Sequence, residues 1–122
     1  MNKVLLVGRL TRTPELRYTA GGAAVADFAV AVDRPFKNAS GERETDFVEV
    51  VAWRKLGELA AQYLVKGQQV AVDGRLQVRS YEAQDGTKRK AVEVVAENLE
   101  FLAKPGAKAE ADPEPADEVV PF

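Results

Sequence analysis

The chain of 122 residues contains no cysteine and no histidine. Without cysteine, a disulfide framework, a thiolate metal site and a cysteine nucleophile are excluded. Without histidine, the commonest general base and the commonest neutral metal ligand are missing. Aromatic residues are only 7% of the chain, and Trp53 is its single tryptophan. No apolar run approaches the roughly 20 residues that a membrane-spanning helix needs. The opening KVLLVG is apolar for about one strand length and then meets Arg9, so it does not resemble a secretory signal peptide. These absences predict a soluble cytoplasmic protein, and no phosphate-cradling glycine-rich loop or other chemistry is visible.

What is present suits one domain with a modest core, at 46% apolar residues. The net charge of -2 conceals a segregation. Residues 1–108 hold all 17 lysines and arginines against 14 acids, and residues 109–122 hold five acids and no base. A mildly basic body with an acidic tail follows.

The first hundred residues read as short strands between turn signals. Residues 3–10 form the first strand, ended by a polar stretch with Pro14 as breaker. Residues 15–19 continue it briefly before a turn at Gly21 and Gly22. Residues 24–33 alternate, with Phe28, Val30 and Val32 on one face. Residues 34–45 read as a polar loop and 46–55 as the next strand. Residues 56–64 have helical spacing, with Leu56, Leu59, Ala60, Tyr63 and Leu64 on one face and a stop at Lys66 and Gly67. Residues 68–81 alternate again, Asp85 and Gly86 signal a hairpin turn, and residues 90–102 return. Five strands with one helix between the third and fourth is the order of an OB-fold, an all-β Greek-key barrel. A small sandwich with one helix also fits this order. The expected domain spans 1–104, and 105–122 is a flexible acidic tail too poor in apolar surface to fold.

The strand DFVEVVAWRK poses the main question. Val48, Val50 and Ala52 offer a small aliphatic face, while Phe47, Glu49, Val51 and Trp53 share the other. Large aromatics ordinarily belong in cores, so the opposite orientation is the alternative. The fourth strand tips the balance: Val70, Val72, Gly74, Leu76 and Val78 face one way, and Arg75, Arg79 and Tyr81 the other. Two strands thus present aliphatics inward and rings with charges outward. Exposed rings beside cations suit a single strand of nucleic acid, because every base has a π-face and the cations follow phosphates. The expected stacking residues are Phe36, Phe47, Trp53 and Tyr81. The expected phosphate contacts are Lys3, Arg9, Arg17, Arg34, Lys37, Lys55, Lys66, Arg75, Arg79, Lys88, Arg89 and Lys90.

The stretches NKVLLVGRLTRTPELRYTAGGAAVADFAVAVDR, DFVEVVAWRKLGELAAQYLVKGQQVAVDGRL and terminal VVPF resemble the bacterial single-stranded DNA-binding proteins. The resemblance runs over residues 2–102 and the last six residues. It implies an OB-fold that assembles as a homotetramer and wraps single-stranded DNA, with stacking rings at the four positions named. Phe36, Phe47 and Tyr81 stand where relatives often carry tryptophan, and the linker to the terminus is short for the family.

The terminus itself, Asp117, Glu118, Val119, Val120, Pro121 and Phe122, joins acids to an apolar cluster that a solubility tail has no reason to carry. Such an end offers an anchor and a charge to a partner with a basic-rimmed pocket. The resemblance implies recruitment of replication, recombination and repair enzymes. Two other classes share parts of this pattern. A carboxylate-metal nuclease would draw on Asp27, Asp33 or Asp73, which show no ligand spacing. A single-stranded RNA module or primosomal accessory OB protein would share the stacking platform. No cofactor is expected.

Overall fold

The computed structural model describes residues 1–102. Its elements in chain order are β1 (Val4–Leu10), β2 (Glu15–Tyr18), β3 (Ala24–Lys37), β4 (Arg43–Trp53), α1 (Arg54–Tyr63), β5 (Gln69–Glu82) and β6 (Lys88–Phe101). The strand order is β1-β5-β6-β4-β3-β2, and an added β1–β3 pairing closes five strands into a barrel. This is the OB-type architecture, with β2 appended to the edge of β3. Counting β2 separately places the helix between β4 and β5. Every pairing is antiparallel except β4 with β6, which run parallel through Val50 and Val94.

Closure happens at Gly8. Beside it, Arg9 still faces Gln69 of β5 while its other edge meets Ala31 of β3, and Leu10 then faces Val30. A Cβ at Gly8 would lie 2.3 Å from the Ala31 carbonyl oxygen, so only glycine permits the crossing.

The interior is filled by branched aliphatics and one ring. Phe28, Val30, Val50, Val70, Val72 and Val94 are sealed, joined by Leu10, Ala26 and Ala52. Helix α1 covers one end with Gly57 and Ala60, and Leu64 follows into the same cluster. Tyr63, which shares a helix face with Ala60 and Leu64 in the sequence pattern, is half exposed, its ring 6.2 Å from that of Phe101.

Two boundaries differ from the sequence expectation for one reason. Residues 34–45 are mostly strand, since β3 runs to Lys37 and β4 starts at Arg43. Likewise β6 starts at Lys88 rather than at residue 90. Both hairpins project past the barrel as arms with two solvated faces, so apolar alternation does not mark their ends. The same projection corrects Leu76 and Val78. They were expected in the core, but they lie beyond it on the β5–β6 arm and are 43% and 55% exposed. The turn at Asp85 and Gly86 is as expected, with Gly86 at φ 86° and its amide donating to the Ala83 carbonyl at 2.9 Å. The acidic tail over 105–122 lies outside the described residues.

Candidate nucleic-acid interface

Strand β4 fixes the orientation of the barrel wall. Val50 and Ala52 are sealed inside, Phe47 is 69% exposed and Trp53 is 43% exposed. The opposite orientation is excluded. Phe36 on the β3–β4 arm is 79% exposed and Tyr81 on the β5–β6 arm 43%. All four rings therefore stand outside an aliphatic barrel.

Register shows how cations are set beside them. Residues facing each other on paired strands share a face, and neighbouring strands lie about 4.8 Å apart. Phe47 faces Ala31, which faces Arg9. Trp53 faces Val25, which faces Arg17. Tyr81 faces Arg89 directly. The Arg79 guanidinium lies 5.7 Å from the Tyr81 ring centre, a cation–π distance. Phe36 shares a hollow of about 250 Å³ with Arg34, Lys37 and Asn38. Lys88 lines a second hollow, of about 260 Å³, beside Tyr81. Lys55 follows Trp53 by two residues on α1, and Lys66 lies beyond the helix, where its amide donates to the Thr13 hydroxyl at 3.3 Å. Lys90 faces Ser80 on the β5–β6 arm. Lys3 stands apart from the rings, paired with Asp73 and with Glu97 at 3.7 Å on the β1–β5 wall.

Between β3, β4 and β6 the outer wall dips into a concavity of about 280 Å³. Its floor includes Val51, which was expected to face solvent. Instead it is 9% exposed, clustered with Val25 and Val95 because β4 and β6 run side by side there. Arg12, Arg17 and Arg79 line the rim. Arg12 was missed in the sequence because it sits in an irregular polar connector that carries no periodicity.

Acids hold six of the twelve expected phosphate-contacting cations, and Arg12 as well. Asp27 bonds Arg17 and lies 3.6 Å from Arg12, and Arg12 also reaches Glu49 at 3.4 Å. Arg79 meets Glu93 at 3.3 Å, and Arg75 meets Glu97 at 4.0 Å. Arg34 is gripped on two sides, by Asp46 at 2.9 Å and Glu44 at 2.9 Å. The Arg34 hydrogen bonds hold the Asp46 carboxyl below the ordinary carboxylate range, and Asp46 in turn raises the Arg34 guanidinium. At the other arm tip the Thr87 hydroxyl and amide lower Asp85, which also bonds Arg89 at 3.3 Å. Most arginines of the wall are therefore pre-paired, so a phosphate that engages them must compete with carboxylates.

Asp27, Asp33 and Asp73, the carboxylates a metal site would draw on, are not brought together. Asp27 is taken by arginines, Asp33 accepts from Thr45 at 2.8 Å, and Asp73 pairs with Lys3. Among the described residues no group of three or more such side chains is placed to hold a metal ion. No described helix is long and apolar enough to cross a membrane.

A closed OB-type barrel thus carries exposed rings and cations together on its outer wall. Comparison with known proteins agrees: residues 1–102 match the single-strand binding protein family, and the chain belongs to it. "Single-stranded DNA-binding protein 3" of Listeria innocua is 56% identical over 102 residues, 84% of this chain and 64% of that protein. "Single-stranded DNA-binding protein" of Halalkalibacterium halodurans is 53% identical over 110 residues, 90% of this chain and 66% of that protein. "Single-stranded DNA-binding protein A" of Bacillus subtilis is 56% identical over 102 residues, 84% of this chain and 59% of that protein. The chain thus matches under two thirds of the length of each of these relatives.

Proposed function

We propose that this protein coats single-stranded DNA without regard to sequence, as a non-enzymatic binding protein serving replication, recombination and repair. The observation that carries this reading is the outward placement of Phe36, Phe47, Trp53 and Tyr81 around an aliphatic barrel. Stacking on four rings is worth about 1–3 kcal/mol per base and is indifferent to base identity. The row-mates Arg9, Arg17 and Arg89 supply the phosphate contacts.

Self-association belongs to the same proposal. One edge of β1 pairs with β5 over Val4 to Arg9, while the other meets β3 only at Arg9 and Leu10. Its outer wall exposes Leu5 (70%) and Val7 (48%) above a groove of about 480 Å³. An unpaired strand edge beside exposed aliphatics favours pairing with another copy. A homotetramer is the assembly the family resemblance implies. The terminal residues Asp117 to Phe122, outside the described structure, would recruit genome-maintenance enzymes, and a cytoplasmic, nucleoid-associated location fits that role.

The experiment is a fluorescence-anisotropy comparison of labelled single strands of differing sequence and a matched duplex. The reading expects tight binding to every single strand, weak binding to duplex, and a log–log salt slope of about -0.7 per phosphate neutralised. Preference for one sequence by more than about tenfold would indicate base-edge readout and refute the stacking platform. Removing residues 110–122 should tighten binding at low salt, because the acids compete for the cationic wall. Unchanged affinity would remove the tail from that competition.

A further inference from the structure

The nine arginines of the chain are unequally engaged. Arg12, Arg17, Arg34, Arg75, Arg79 and Arg89 each meet a carboxylate. Arg9 donates to the Gly67 carbonyl at 3.1 Å, and Arg43 to the Arg34 carbonyl at 3.3 Å. Arg54 alone of the nine has no protein acceptor among the described residues, and it is exposed.

Its backbone is equally singular. Arg54 has φ 59° and is the one non-glycine residue with positive φ among those described. The reason lies in the junction. Strand β4 ends at Trp53 and α1 begins at Arg54, with no residue between them. The helix is docked so closely that a Cβ on Gly57 would lie 2.5 Å from the Ala52 carbonyl oxygen. The chain must therefore turn at once, and residue 54 takes the left-handed conformation. Glycine or asparagine adopts that conformation with little strain, whereas arginine does not. Here arginine accepts the strain with no intramolecular bond in return, and strain of this kind concentrates at binding sites. The residue before it is Trp53, one of the four exposed rings.

We propose that Arg54 is a phosphate-binding residue of the interface, holding the backbone of the nucleotide whose base stacks on Trp53. The proposal rests on the stacking reading above. A planar guanidinium grips a phosphate with two parallel N–H bonds, which a lysine cannot reproduce. Because no carboxylate competes for it, Arg54 engages phosphate without first breaking an ion pair, unlike Arg12, Arg17, Arg34 and Arg79.

The test compares the full chain with Arg54→Asn and Arg54→Lys. Each is titrated with oligo(dT) by Trp53 fluorescence at several salt concentrations, and melted without DNA. Asparagine relieves the strain and removes the charge, so its Tm should equal or exceed that of the parent chain. Its Kd should weaken by about fivefold, and its salt slope should flatten by about 0.7. Lysine keeps a charge without the bidentate grip, so its slope should stay near the parent value with intermediate affinity. Arg54→Asn binding with the parent Kd and slope overturns the proposal, as does a lowered Tm that accounts for its weaker binding. If oligo(dT) leaves the fluorescence of the unsubstituted chain unchanged, the stacking reading fails and this proposal fails with it. If that quenching is present, a failure in the variants belongs to Arg54 alone.

Discussion

Replacing Phe47 with alanine separates a binding ring from a structural one. The side chain is 69% exposed, so only about a third of its surface is withheld from water in the free protein. A phenylalanine buries about 200 Å² when sealed, so roughly 60 Å² is at stake here, or about 1.5 kcal/mol at 25 cal/mol per Å². That is an upper figure, because an unfolded chain also hides part of its apolar surface. Phe28, fully sealed in the barrel, is the control: its removal should cost about 3–5 kcal/mol. For binding the order reverses. Loss of one stacked base should cost about 1–3 kcal/mol, roughly 5- to 150-fold in Kd, and equally for every sequence. Thermal denaturation and anisotropy with short mixed-sequence strands measure both quantities on one preparation. A Phe47→Ala chain that loses as much stability as Phe28→Ala, yet binds with the parent affinity, would refute the reasoning.

Two further outcomes follow from the geometry. If the proposed self-association runs through β1, Leu5→Lys with Val7→Lys should leave a monomer by placing charges on its exposed wall; light scattering that shows the same mass for both chains would contradict that interface. The Asp46 carboxyl titrates lower folded than unfolded because Arg34 hydrogen-bonds it. Its contribution is therefore complete above the ordinary carboxyl pKa of about 4 and is lost as pH falls through the lowered folded value. Asp46→Asn should flatten this part of the acid limb in melts between pH 7 and pH 3; an identical limb in both chains would contradict the assignment.

Much of the barrel was legible because a closed sheet with one interior writes period-two alternation into its strands. Val50, Ala52, Val70 and Val72 were expected inside and are inside. The legibility ended where strands left the barrel. Leu76, Val78 and residues 34–45 lie on arms whose faces are both wet, so their patterns no longer report on a core. Val51 misled for the converse reason: a parallel neighbour, invisible in local sequence, roofs it with Val95. The rings were readable from their company of cations. Arg12 and Arg54 were not, because one sits in an irregular connector and the other owes its distinction to a backbone angle and the absence of a partner.

Trp53, the one tryptophan of the chain, reports directly on whether bases reach the outer wall. Its emission, followed through a titration with poly(dT) and separately with a matched duplex, tests the placement of the rings as the binding surface. Strong quenching by the single strand alone is the predicted result. Equal quenching by both, or none by either, would contradict it.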